Sequence, residues 1–204
     1  MEFVMNLTAV RRRKPLVQCI TNFVTVNDCA NIILAAGGSP TMAEHPQEVD
    51  EAVRKAQALV CNMGAIDKVE AMILAGREAN RLGTPVVLDP VGAGGTQLRR
   101  DAVKRLLEEV HFSVIRGNAS EIRYLAGQQT TGSGVDVSAP DEITEDNLSG
   151  AVAMAAELAE KLGITRSSVA VHISNLIKKG YIAGKGYVLR SGSYAVVVGG
   201  VNVD

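Results

Sequence analysis

Short apolar runs alternate along the chain with stretches in which apolar residues recur every three or four positions. LVQCI (16–20) reads as a buried strand, and NDCANIILAAGG (27–38) as a helix stopped by Gly37 and Gly38. SPTMA (39–43) is short and extended. PQEVDEAVRKA (46–56) has helical spacing, with Pro46 suited to a first turn. ALVCNM (58–63) predicts a strand, DKVEAMILAGREANRLG (67–83) an amphipathic helix with a glycine stop, and PVVLD (85–89) another strand. QLRRDAVKRLLEEV (97–110) is a helix, SVIRG (113–117) a strand and ASEIRYLAG (119–127) a short helix. This order predicts an α/β fold, with a mainly parallel sheet and helices on both faces.

QQTTGSGVDVSAPD (128–141) is polar, rich in Gly, Ser and Thr, and reads as a loop. One long helix follows over 145–162, with Thr144 as its cap and Gly163 as its stop. The pattern changes behind Gly163. Residues 1–163 read as one α/β domain, 164–193 as a separate segment, and 194–204 as the beginning of a further strand.

Composition narrows the class. The chain has 204 residues, 47% of them apolar, so a folded core is expected rather than disorder. Aromatics are 3% and Trp is absent, which leaves the core to Val, Ile, Leu, Met and Ala. No apolar run reaches the ~18 residues of a membrane span, and MEFVMNLTAVRRRKPL lacks the apolar stretch of a signal peptide. A cytoplasmic protein is expected. Cys19, Cys29 and Cys61 have no metal-ligand spacing and read as reduced, buried side chains, with a catalytic thiol as the alternative. The net charge of −1 conceals an asymmetry. Arg166, Lys178, Lys179, Lys185 and Arg190 lie in 164–203 without any acidic residue, and the front of the chain carries the compensating excess. An anionic partner for the rear segment is one reading; a solvated basic face is the other.

Ligands of parallel α/β sheets bind at the carboxyl ends of strands. Three such ends are polar or glycine-rich. In LDPVGAGGT (88–96), Asp89 closes a strand and points to the crevice. Gly92, Gly94 and Gly95 let backbone approach a bulky anion, and Thr96 opens a helix whose N-terminus favours negative charge. A carboxylate beside a phosphate site suits Mg²⁺. Alone, the stretch is equally a plain turn with Asp89 as a helix cap. In IRGNASEI (115–122), Arg116 can clamp phosphate, Asn118 or Ser120 can cap a helix, and Glu121 falls in its first turn. A capped helix with a surface arginine is the plainer alternative. Thr21 and Asn22 offer a hydroxyl and an amide at the first strand end.

PLVQCITNFVTVNDCANIILAAGGSPTMA, LVCNMGAI, PVVLDPVGAG and VIRGNASEI occur in the order and spacing of the hydroxyethylthiazole kinases, and the resemblance covers about residues 7–163. It implies a ribokinase-like α/β fold and phosphoryl transfer from Mg-ATP to a thiazole alcohol in thiamine salvage. It assigns Asn22 and Met42 to the thiazole, Arg116 to ATP, beside the anion-approaching glycines Gly92 and Gly94, and Asp89 and Glu121 to the Mg²⁺–phosphate water network. It also implies a homotrimer with active sites between subunits. Two departures stand out. Ala65 replaces the family's hydroxyl residue after the NxG turn. Nothing in 164–204 matches the family's GTGC-type loop, which supplies the phosphate cradle and the catalytic base. No catalytic residue is therefore identified, and a truncated ribokinase-like sheet with impaired transfer is expected.

The rear segment resembles something else. ELAEKLG-IT-RSSVAVHISNLIKKG has helix–turn–helix spacing, with Val169, Ile173, Leu176 and Ile177 on one face of the second helix. Arg166, Ser167, Ser168, His172 and Asn175 remain for base edges and phosphates, and YIAGKGYVLR would form a hairpin with Lys185 at its tip. His172 is as readily a neutral surface residue. The stretch is similar to the winged helix preceding some ribokinase-type sugar kinases, and YAVVVGGVNVD (194–204) to their first strand, with Asn202 and Asp204 as sugar contacts. A partial winged helix and a DNA-binding alternative follow from that resemblance. YVLR and YAVVVGGV are the expected cover for the last strand edge of the front domain.

Overall fold

The computed structural model describes residues 2–127, 148–164 and 169–171. Six parallel strands form one sheet in the order β2-β1-β3-β4-β5-β6. They are β1 (Leu16–Ile20), β2 (Ser39–Thr41), β3 (Ala58–Asn62), β4 (Val86–Asp89), β5 (Val114–Gly117) and β6 (Val169–Val171). The helices are α1 (Glu2–Arg13), α2 (Val26–Ala36), α3 (Val49–Val53), α4 (Val69–Leu82), α5 (Gln97–Glu109), α6 (Ala119–Leu125) and α7 (Leu148–Lys161), with a 3-10 turn, Ile66–Lys68, ahead of α4. The expected α/β architecture is present. From β1 the chain steps one way to β2, then returns past β1 to β3 and continues the other way. Right-handed crossovers in opposite directions put α2 on one face and α3, α4 and α5 on the other.

The second of these faces holds most of the core. Leu59 and Cys61 of β3, Val86 and Leu88 of β4 and Ile115 of β5 are buried. Over them lie Met72, Ile73 and Ala75 of α4 and Val103 and Leu106 of α5. Gly76 lets α4 come close to Val110, because a Cβ there would sit 2.6 Å from a Val110 methyl. Alternate strand residues point to the opposite face. There Val60, Val87 and Val114 are half-buried, and so are Asn62, Asp89 and Arg116. Polar side chains at the strand ends thus share the more open side of the sheet.

Several boundaries differ from the sequence pattern. α1 was not read from the sequence, where a run of three basic residues closes it. Pro46 lies outside α3: Glu48 and Val49 both donate to the His45 carbonyl (2.9 and 3.1 Å), so Pro46 occupies the second position of a turn, which its fixed φ favours. The glycine stops hold. Gly37, Gly83 and Gly163 all have positive φ, and Ile164 N–H closes the end of α7 on the Ala159 carbonyl (2.9 Å). Thr144 and the 128–141 loop lie outside the described residues.

The largest correction concerns the rear segment. Val169, expected on the apolar face of a second helix, belongs instead to β6, which pairs with β5 through Ile115–Val169, Arg116–Ala170 and Gly117–Val171. A strand with two β-branched residues and an unpaired β5 edge satisfy each other's backbone groups, and that gain outweighs a local helical spacing. The edge of β5 is therefore covered by residues 169–171, six residues behind Gly163, which carries the sheet past the expected domain boundary. Arg166, Ser167, Ser168, His172, Asn175, Lys185, Asn202 and Asp204 lie outside the described residues, as do YVLR and YAVVVGGV. Among the described residues no helix is long and apolar enough to cross a membrane.

Candidate functional site

The sheet reverses its winding between β1 and β3, and in open parallel α/β sheets ligands bind near such a point, at the carboxyl ends of the strands. Asn62 and Asp89 are register partners at the ends of β3 and β4. Arg116 on β5 lies one step past the Leu88–Ile115 pair. Alternation along each strand turns all three side chains to the same face. They bond in a row: Asn62 Nδ2 donates to Asp89 Oδ2 (3.2 Å), and Arg116 Nη1 lies 2.5 Å from the same oxygen. Asp89 is not the cap of α5, since Thr96 caps that helix by accepting from Arg99 N–H (3.3 Å).

Glu121 approaches from α6. Asn118 caps that helix with its side chain on Glu121 N–H (2.8 Å), and Glu121 Oε2 accepts from Asn118 N–H (2.7 Å), a reciprocal capping box. Its other oxygen, Oε1, accepts from Gly92 N–H (2.9 Å), so one carboxylate ties α6 to the loop after β4. Burial raises the Glu121 carboxyl to about 7, against the pull of the two backbone N–H donors. Burial also pushes the Asp89 carboxyl up, and the Arg116 guanidinium opposes that shift.

Gly92 and Gly94 lie in two consecutive turns. Ala93 N–H bonds to the Pro90 carbonyl (3.0 Å) and Gly95 N–H to the Gly92 carbonyl (2.9 Å). Arg99 and Arg100, on the first turn of α5, hold this loop by its carbonyls. Arg99 Nη1 donates to Val91 (2.7 Å) and Met63 (2.8 Å), and Arg100 Nη1 to Gly94 (2.9 Å). Neither arginine was singled out from sequence, because both fit an ordinary exposed helix face. Asn62 was also missed, although an amide closing an otherwise apolar strand is a signal.

At the β1 end, Asn22 Oδ1 accepts from the N–H groups of Val24 and Thr25 (3.0 Å each) in the turn ahead of α2. Its Nδ2 faces Gly64, where a Cβ would lie 2.6 Å from Asn22 Nδ2 and 2.6 Å from Asn62 Oδ1. Only glycine leaves the two amides in place. Met42 is half-buried just past β2, and Gln18 Nε2, fully buried, holds the neighbouring Ala43 carbonyl (3.0 Å). The structure thus joins Asn22, Asp89, Arg116, Glu121 and the glycine loop along one sheet edge, with Met42 on the far side of β1.

The cysteines do not take part. Cys19 and Cys61 are buried free thiols, and burial raises Cys19 to about 12 and Cys61 further. Cys29 is free and half-buried, not buried as expected. A concavity between α3 and α4 lies elsewhere, and its Glu78 is already bonded to Arg54 and Arg81 (2.7 Å each).

Comparison with known proteins gives this arrangement a family. The model of the hydroxyethylthiazole kinase family matches residues 7–173, through β6 and beyond the boundary drawn at Gly163. A hydroxyethylthiazole kinase of Desulfovibrio desulfuricans is 49% identical over 188 residues, covering 91% of this chain and 64% of the relative. One of Exiguobacterium sibiricum is 56% identical over 133 residues, covering 64% of this chain and 52% of the relative. The solved structure of a hydroxyethylthiazole kinase protein from Pyrococcus horikoshii superposes with a TM-score of 0.70 at 37% identity, over 84% of this chain and 61% of that one. The chain spans less than two thirds of the length of these relatives. Its matched segments and its ribokinase-like parallel sheet leave one conclusion: the chain belongs to the hydroxyethylthiazole kinase family.

Proposed function

We propose that this chain carries the nucleotide and metal side of a phosphoryl transfer from ATP to a hydroxyethylthiazole alcohol, a step of thiamine salvage. The observation behind this reading is the row Asn62–Asp89–Arg116 at the carboxyl ends of parallel strands, with Glu121 bonded to the adjoining loop at Gly92. The donor set fits Mg²⁺. Both contacts to Asp89 fall on Oδ2, and no hydrogen bond among the described residues reaches Oδ1. Mg²⁺ takes one or two protein carboxylates and completes its shell with water and phosphate. Asp89 and Glu121 supply two such carboxylates, and the described residues hold no larger cluster of His, Cys, Asp or Glu that could bind a metal ion.

When bound, Mg²⁺ supplies neutralisation of the charge on the transferring phosphoryl group. Asp89 and Glu121 hold the metal's water shell. Arg116 serves as the cation for the nucleotide phosphates, and the backbone of Gly92 and Gly94 permits their close approach. Asn22 and Met42 would meet the thiazole. A coupled ADP-release assay tests the reading: turnover is expected only with Mg-ATP and the thiazole alcohol together, and none above background at high protein concentration overturns it.

A second copy of the chain fits against α2, in keeping with the homotrimer that the family resemblance implies. None of the eleven residues VNDCANIILAA is buried, and Ile32 and Leu34 are 63% and 57% exposed. Phe23 and Val24, just ahead of the helix and next to Asn22, are more exposed still. An apolar patch of this kind marks an interaction surface, and it adjoins the thiazole end of the site.

A further inference from the structure

The peptide between Val91 and Gly92 is held at both ends by charged side chains. Its carbonyl accepts from Arg99 Nη1 (2.7 Å), and its N–H donates to Glu121 Oε1 (2.9 Å). This peptide is the centre of the turn Pro90–Ala93. Gly92, third in that turn, has φ +66°, while Val91 ahead of it does not have positive φ. That combination is a type II turn. Types I and II differ by a rotation of the central peptide through about half a turn. Flipping it here would aim the Val91 carbonyl at the Glu121 carboxylate and take the acceptor from Arg99. The two charges therefore select one turn over the other.

Arg99 is well placed for this task. The same nitrogen also donates to the Met63 carbonyl (2.8 Å), which anchors it to the end of β3. Its stem runs beside Gly92, 3.4 Å from where a Cβ would stand. Glu121, on the other side, is fixed at its second oxygen by Asn118 N–H. We propose that Arg99 is a positioning residue of the metal–phosphate site: through the Val91–Gly92 peptide it sets the orientation of the Glu121 carboxylate and of the loop 92–95. The assignment of a catalytic purpose to this clamp rests on the phosphoryl-transfer reading above; the clamp itself does not.

Amide hydrogen exchange at Gly92 tests it in the full chain. In Arg99→Ala the Gly92 amide should exchange about tenfold faster or more, the loss of a charge-assisted bond, while amides of β3 and β4 keep their protection. Arg99→Lys, which keeps a charged donor, should restore part of it. Gly92→Ala favours the type I turn by itself, because an L side chain resists positive φ. Mg-ADP binding, read by calorimetry, should weaken about tenfold in Arg99→Ala and in Gly92→Ala, and the double variant should be no weaker than the worse single, as expected for residues acting through one peptide. Unchanged Gly92 exchange in Arg99→Ala, or additive losses in the double variant, overturns the proposal. Should Arg99→Ala fail to fold, Arg99→Gln and Arg99→Lys give the same comparison. If the unaltered chain does not bind Mg-ADP, the phosphoryl-transfer reading fails, and the exchange measurement still decides the clamp.

Discussion

Arg116 on β5 reaches across to β4 and sets Nη1 2.5 Å from Asp89 Oδ2, with only 15% and 13% of the two side chains exposed. Parallel register one step beyond Leu88–Ile115 brings the two residues side by side. Burial pushes the Asp89 carboxyl up, and the Arg116 guanidinium beside it opposes that shift.

Removing one partner leaves the other charge buried. Asp89→Ala breaks a largely buried ion pair and is expected to cost about 3 kcal/mol, the usual scale for that loss. Urea unfolding measures it. A loss below about 1 kcal/mol, the range of exposed pairs, would mean that water screens Arg116 in solution.

Glu121 makes stability depend on pH. Its carboxyl is raised from 4.5 to about 7 in the folded chain, chiefly by burial. A raised carboxyl contributes stability that is fully present below pH 4.5 and is lost as pH rises through about 7. The decline across that window should approach about 3 kcal/mol. Glu121→Gln should flatten the slope, whatever its absolute stability. Thermal or urea unfolding at several pH values reads the difference, and equal slopes would refute the shift.

Gly64→Ala should disturb the site without touching a charged group. The added methyl would displace Asn22 Nδ2 and Asn62 Oδ1, both 2.6 Å away. Overpacking of this kind costs about 1–3 kcal/mol. The melting midpoint should fall, and any stabilisation by the thiazole alcohol should fall with it. A variant that melts and binds like the parent would show that the two amides move aside freely.

The exposed face of α2 should govern assembly. Ile32→Lys combined with Leu34→Lys adds charge at two outward positions and should reduce the sedimenting species to the single chain. An unaltered chain that already sediments as a monomer at tens of micromolar, ~10⁻⁵ M being ample for a stable interface, would count against a second copy there.

Several residues of the candidate site stand out in the sequence alone. Asp89, Arg116 and Glu121 end or follow apolar strands, and a polar residue at such a place in a parallel sheet is a site candidate on general grounds. What they do to one another was not readable. The Arg116–Asp89 pair and the bond from Gly92 to Glu121 each join residues more than twenty-five positions apart. Local pattern carries no record of such contacts. Arg99 escaped notice for the same reason: its spacing on α5 is that of any solvent-facing arginine.

The alternation of apolar runs and helical periodicity, punctuated by Gly37, Gly83 and Gly163, determined by itself that this is a parallel α/β protein, because strand and helix periods and left-handed glycine stops are local properties of the backbone. Strand order and the direction of each crossover were decided only by tertiary structure. So was the fate of Val169–Val171, which reads as one turn of a helix and is a strand. An isolated segment has no partner with which to satisfy a strand's backbone, whereas the open edge of β5 supplies one.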